Sequence, residues 1–129
     1  MALQPNPHKV NTGVKRVMLA TKYSYEGLFA GIRYESAFRQ EAFLAALMLP
    51  AAFWIGRTWL EVSILCITVV LVLIVEMLNS AIEAVVDRVS FERHELSKLA
   101  KDYGSAAVHM SLMLCLFVWL AALYHRFMV

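Results

Sequence analysis

The stretch Val62 to Asp87, VSILCITVVLVLIVEMLNSAIEAVVD, decides the fold. Its first fourteen residues, Val62 to Val75, carry no charge, and the helical pattern runs on through Glu76 to about Val89. Within that continuation Glu76, Asn79, Ser80, Glu83 and Asp87 fall at i, i+3, i+4, i+7 and i+11, on one stripe of a single helix. Around the stripe the helix remains leucine, isoleucine, valine and alanine. Such a segment reads as a membrane-spanning helix that carries carboxylates where hydrocarbon disfavours them.

Two further apolar runs lie on either side. Gly104 to Tyr124 is twenty-one residues long and holds His109 as its only Asp, Glu, His, Lys or Arg, so it meets the roughly 20 residues a bilayer asks for. Ala42 to Ile55, interrupted by Pro50, is shorter; it spans when extended back through Ala37 and Phe38, with Arg39 and Glu41 at a headgroup boundary or facing protein. Gly56-Arg57-Thr58 then makes a hairpin turn. Ahead of these, Lys15 to Arg33 interleaves charge with Val14, Val17, Met18, Tyr25, Leu28, Phe29 and Ile32 at helical spacing, which suits a membrane surface. Gly27 and Gly31 weaken that helix unless it packs, and their GxxxG spacing is a weak packing signal. The expected fold is therefore an all-α integral membrane protein in one domain. Residues 1–12 form a flexible tail without a secretory-signal pattern, 13–33 a surface helix, 36–56, 61–89 and 104–125 three spans, and 90–103 a polar loop.

Composition agrees. The 129 residues are 60% hydrophobic and 17% charged, against about 45–50% and 25% for a soluble domain, which excludes a soluble monomer and a disordered chain. A net charge of +2 is too mild to imply nucleic acid. Cys66 and Cys115 each sit in an apolar run and read as small buried hydrophobes rather than a disulfide pair. Ten Lys and Arg fall on the N-terminal side and two, Arg57 and Arg126, on the other, which places the N-terminus and the 90–103 loop in the cytoplasm. Trp54, Trp59, Trp119 and Tyr124 then form an interfacial belt at the far end, and His109 is an interior hydrogen-bonded group.

With Glu61 near the outer surface, Glu76 lies about 22 Å away at the inner hydrocarbon boundary, and Glu83 about 10 Å further reaches headgroups or water. Glu35 and Glu41 fall at the same depth. Several hard oxygens at one level suit magnesium, and Arg88, Arg93, His94, Lys98 and Lys101 supply charge for a polyphosphate. No Walker-type GxxxxGK[ST], HRD or DFG element occurs. From the residues alone two other uses stay open: glue between subunits through Asn79 and Ser80, and a proton relay at Glu76 in a small transporter.

The segments Glu35-Ser36-Ala37-Phe38-Arg39-Gln40-Glu41, Glu76 to Arg88, His94-Glu95-Leu96-Ser97 and Ala100 to Val108 resemble the small bacterial integral-membrane diacylglycerol kinases, Gram-negative branch. The resemblance runs from Lys15 to the C-terminus. It implies transfer of the ATP γ-phosphoryl to the primary hydroxyl of 1,2-diacylglycerol, with Mg2+, in a bacterial inner-membrane homotrimer whose active sites are shared between subunits and face the cytoplasm. It further implies Glu76 as general base supported by Asn79, and Glu35 and Glu83 as magnesium ligands at the nucleotide. Arg16, Tyr23, Glu92, His94, Lys101 and Asp102 would contact the nucleotide, and Ser24, Arg39, Glu41 and Ser105 the lipid. Tyr25, Ser90, Phe91 and Lys98 depart from the family pattern, at positions that bear on lipid fit and loop shape. A related branch acts on undecaprenol; Phe38-Arg39-Gln40-Glu41 and Tyr103-Gly104-Ser105 resemble the diacylglycerol branch.

Overall fold

Four helices follow one another with little chain between them: α1 (Val14–Tyr34), α2 (Ser36–Ile55), α3 (Trp59–Val89) and α4 (Glu95–Met128). The computed structural model describes residues 13–90, 92 and 94–129; the expected tail 1–12, Phe91 and Arg93 lie outside the described residues. α3 packs along both α2 and α4, which barely touch each other. Ala45, Ala52 and Ile55 of α2, Leu65, Val69 and Val72 of α3, and Cys115 and Trp119 of α4 make the buried core. Both cysteines are free, with Cys115 in that core and Cys66 packed against it.

Only Glu35, in extended conformation, separates α1 from α2. The break is tight because Gly31 is buried there: a Cβ at that position would lie 2.9 Å from a Phe38 ring carbon and 3.1 Å from the Met77 sulfur. Gly31 therefore packs α1 onto the bundle, whereas Gly27 faces open space. Arg39 Nη1 donates to the carbonyls of Ile32 (3.1 Å) and Arg33 (3.4 Å), closing the end of α1. The apolar side chains of α1, including Val17, Met18, Leu28 and Phe29, are exposed.

The α2–α3 turn is Gly56-Arg57-Thr58. A Cβ on Gly56 would meet Val62 Cγ2 at 2.6 Å and the Ala52 carbonyl at 3.1 Å, so only glycine fits. Thr58 caps α3 by accepting from the Glu61 N–H (3.2 Å), and the Glu61 carboxylate accepts from the Arg57 N–H (2.6 Å). Thr58-Trp59-Leu60-Glu61 is thus a variant of the capping box.

α3 and α4 are long and apolar enough to cross a membrane. At 31 and 34 residues they extend about 46 and 51 Å, well beyond a hydrocarbon core of about 30 Å, so their charged ends project together.

Three expectations are corrected. The loop 90–103 is much shorter than expected, because α4 begins at Glu95. His94 Nδ1 accepts from the Leu96 N–H (3.2 Å), Glu95 favours the positive helix end, and Leu96, Lys98, Leu99, Ala100 and Lys101 are strong helix formers. Polarity marks where the apolar segment of α4 ends, and the helix runs past it. Trp119 is 7% exposed, in the core rather than on the belt with the exposed Trp54, Trp59 and Tyr124, because its position on α4 faces α2 and α3. His109 is exposed, one residue off the inward stripe formed by Gly104, Ser111, Cys115 and Trp119 on α4.

Candidate active site

At the charged end a cavity of about 380 Å³ lies among three helices. Glu35 enters from the α1–α2 break, Ser36 and Glu41 from the start of α2, Glu76, Asn79, Ser80 and Glu83 from α3, and Ser105 from α4. The helical spacing of the α3 stripe makes this possible, since one face of α3 meets both neighbours. Glu76 is only 5% exposed. Glu41 Oε2 and Asn79 Oδ1 are buried without a hydrogen-bond partner. Asn79 Nδ2 donates to Glu83 Oε1 at 3.3 Å. Four carboxylates thus face one small space with acceptor capacity to spare, an arrangement that costs folding energy and awaits a donor or cation. Among the described residues no three Asp, Glu, His or Cys side chains already converge as a metal cage.

A second cavity, about 740 Å³, opens further out along the same α3–α4 groove. Asp87 and Ser90 of the α3 end, Glu92 and His94 of the connection, and Lys98, Lys101 and Asp102 of α4 line it. Lys101 Nζ pairs with Asp87 Oδ1 at 2.6 Å across the two helices, and Lys98 pairs with Asp102 along α4. The hydrogen bond to Asp87 raises the Lys101 ammonium above the ordinary lysine range; desolvation opposes it less strongly, and the weaker attractions of the Asp87 and Glu83 charges add to it. Asp87 and Lys101 each stand four residues, about 6 Å, outward from Glu83 and Ser105 of the inner cavity. The two cavities are therefore stacked, the inner one charged by carboxylates and the outer one lined by both signs of charge, with Lys98 and Lys101 among Asp87, Glu92, Glu95 and Asp102.

A family model for prokaryotic diacylglycerol kinase matches residues 22–123. The chain belongs to the prokaryotic diacylglycerol kinase family. The diacylglycerol kinase of Pseudomonas aeruginosa is 48% identical over 117 residues, covering 91% of this chain and 95% of that protein. That of Haemophilus influenzae is 46% identical over 108 residues (84% and 92%), and that of Escherichia coli K12 is 45% identical over 116 residues (90% and 95%).

For this diacylglycerol kinase family member, the structure gathers Glu35, Glu41, Glu76, Asn79, Glu83 and Ser105 at the inner cavity, and Glu92, His94, Lys101 and Asp102 at the outer one. It leaves Arg16, Tyr23 and Ser24 exposed on α1, away from both cavities, with the Ser24 hydroxyl donating to the Ala20 carbonyl at 2.9 Å. Arg39 is engaged by the end of α1. Two contributors escaped the sequence reading. Ser36 follows the Glu35 break directly and rides into the inner cavity with it. Gly104 abuts Asn79, in a stretch of small residues that includes Ser105, Ala106 and Ala107.

Proposed function

We propose that this protein is an ATP:1,2-diacylglycerol 3-phosphotransferase of the bacterial inner membrane, with its charged end in the cytoplasm. The observation that carries the reading is Glu76. A carboxylate this buried, at the end of the apolar segment of α3 and facing a cavity beside one that offers Lys98 and Lys101, supports a reaction at headgroup depth. Diacylglycerol keeps its acyl chains in lipid and its one primary hydroxyl at that level. In this reading α2 is the third span, with Arg39 and Glu41 at the boundary. The active unit is a homotrimer, which gives the exposed apolar faces of α3 and α4 lipid and protein to lie against.

The donors of the inner cavity fit magnesium: they are hard oxygens without His or Cys, and a Glu41 oxygen and the Asn79 carbonyl are buried unpaired. Glu35 and Glu83 would hold the ion, which would supply positive charge against the phosphates. Glu76 removes the proton of the lipid hydroxyl. The freed oxygen attacks the γ-phosphorus as the bond to the ADP oxygen breaks. Lys101, aimed by Asp87, balances charge on the phosphates, and Asn79 orients Glu83. Arg16, Tyr23, Glu92, His94 and Asp102 surround the nucleotide, while Ser24, Arg39, Glu41 and Ser105 border the lipid.

The test is direct. Purified protein in detergent or bilayers receives magnesium, labelled ATP and either diacylglycerol or undecaprenol. Labelled phosphatidic acid is the expected product. Label on undecaprenol alone moves the protein to the other substrate, and no labelled lipid overturns the kinase reading.

A further inference from the structure

We propose that Gly104 is a positioning residue for the transfer reaction: the bare backbone of α4 at this point fixes the Asn79 amide, and through it the Glu83 carboxylate. The inference rests on the kinase reading above for its catalytic consequence, and on steric geometry for its mechanism.

Gly104 is buried in the interior of α4, where glycine costs about 1 kcal/mol relative to alanine. A Cβ built there would sit 2.1 Å from Asn79 Oδ1 and 3.2 Å from Asn79 Cγ. The amide therefore occupies the space a side chain at 104 would take. Its oxygen is buried and receives no N–H or O–H bond. It lies instead against the bare backbone of α4 at Gly104. Its nitrogen points the other way and donates to Glu83 Oε1 at 3.3 Å. Flipping the amide would turn its oxygen toward a carboxylate, a repulsive contact. Glu83 thus selects the orientation, and the missing side chain at 104 leaves the room for it. Glu83 presents its remaining oxygen sites to the inner cavity because Asn79 holds it, and Asn79 holds it because residue 104 has no side chain.

A double-mutant cycle between Gly104→Ala and Asn79→Ala tests this, read by lipid phosphorylation at varied magnesium-ATP and by Tm in detergent. Alone, Gly104→Ala is expected to lower kcat at least tenfold, raise the magnesium requirement several-fold and lower Tm. On the Asn79→Ala background, which leaves room for the added methyl, it is expected to change activity by less than twofold and to leave Tm unchanged or higher. Equal losses on both backgrounds, or parent-like activity of Gly104→Ala alone, overturn the proposal. Should Gly104→Ala fail to fold, recovery of folded protein in the double variant supports it and failure of both overturns it. The Tm arm needs no activity. A parent without kinase activity whose Tm cycle still couples refutes the kinase reading and leaves the Gly104–Asn79 clamp standing.

Discussion

The two ends of this helical bundle use polar groups in opposite ways. At the tryptophan end, Thr58 caps α3, Glu61 accepts from the Arg57 backbone and lies 3.9 Å from His125, and Arg57 Nη2 donates to the Arg126 carbonyl at 3.0 Å. Trp54 packs on Phe127 and Phe53 on Trp59. Polar groups there serve the turn and the helix ends. At the other end four carboxylates share a cavity of about 380 Å³, and a Glu41 oxygen and the Asn79 carbonyl go without partners. Trp119 Nε1 apart, which is buried on α4 without a partner, the first end is tied by its own hydrogen bonds, whereas the second keeps unpaired carboxylate and amide oxygens at a cavity.

The sharpest break in that comparison is Glu76→Gln. As general base, Glu76 accounts for about 10²- to 10⁴-fold in rate, so lipid phosphorylation should fall by that factor. Tm should hold or rise, because the variant removes a charge buried at 5% exposure among other carboxylates. Near-parental turnover would remove Glu76 from its role, and a collapse in Tm would make it a structural residue.

The next effect is on packing. Gly31→Leu places a side chain where even a Cβ comes within 2.9 Å of the Phe38 ring, which is 2% exposed and has little room to move. Overpacking of this kind costs about 1–3 kcal/mol, only partly offset by better helix propensity, and should appear as a lower Tm. Because α1 carries Glu35 at its end, kinase activity should fall with it. Full activity would show that α1 does not aim Glu35.

These two sites also mark how far the sequence could be read. The α3 stripe was legible because helical periodicity fixes which side chains share a face, and the depth of Glu76 follows from a constant rise per residue. Gly31 carried a weak spacing signal, and Gly104 none, since close approach between helices depends on how their axes cross. Trp119 looked like a belt residue by its distance along α4, but burial is set by the angular position, which puts it beside Cys115 in the core. The start of α4 was hidden because charge in Glu95, Lys98, Lys101 and Asp102 reports solvent, although Glu95, Lys98 and Lys101 are also good helix formers. Thr58-x-x-Glu61 has capping spacing too, but it went unread beside the hairpin turn Gly56-Arg57-Thr58 and emerges only with the bond from the Glu61 N–H to the Thr58 hydroxyl.

That cap gives a smaller effect, confined to the closed end. Thr58→Ala should lower stability by about 1 kcal/mol, the usual value of an N-cap hydroxyl, and leave the rate of lipid phosphorylation unchanged. A change in rate with intact Tm would mean that the two ends are coupled.

The smallest effect lies at the rim of the open end and depends on pH. The Lys101 ammonium is raised above the ordinary lysine range, first by its hydrogen bond to Asp87, so the folded state holds that proton more tightly than the unfolded chain does. Its contribution to stability is then complete below the unfolded value of about 10.4 and is lost as pH climbs through the higher folded value. The Tm gap between the parent and Asp87→Asn should accordingly be flat from pH 7 to 9 and close in strongly alkaline buffer. Both side chains are about two-fifths exposed, at 38% and 42%, so solvent and salt weaken the pair and the gap should also narrow at high ionic strength. A gap that widens with pH would mean that Asp87 stabilises the fold through some group other than Lys101. The Lys101 ammonium would then owe its aim to α4 alone.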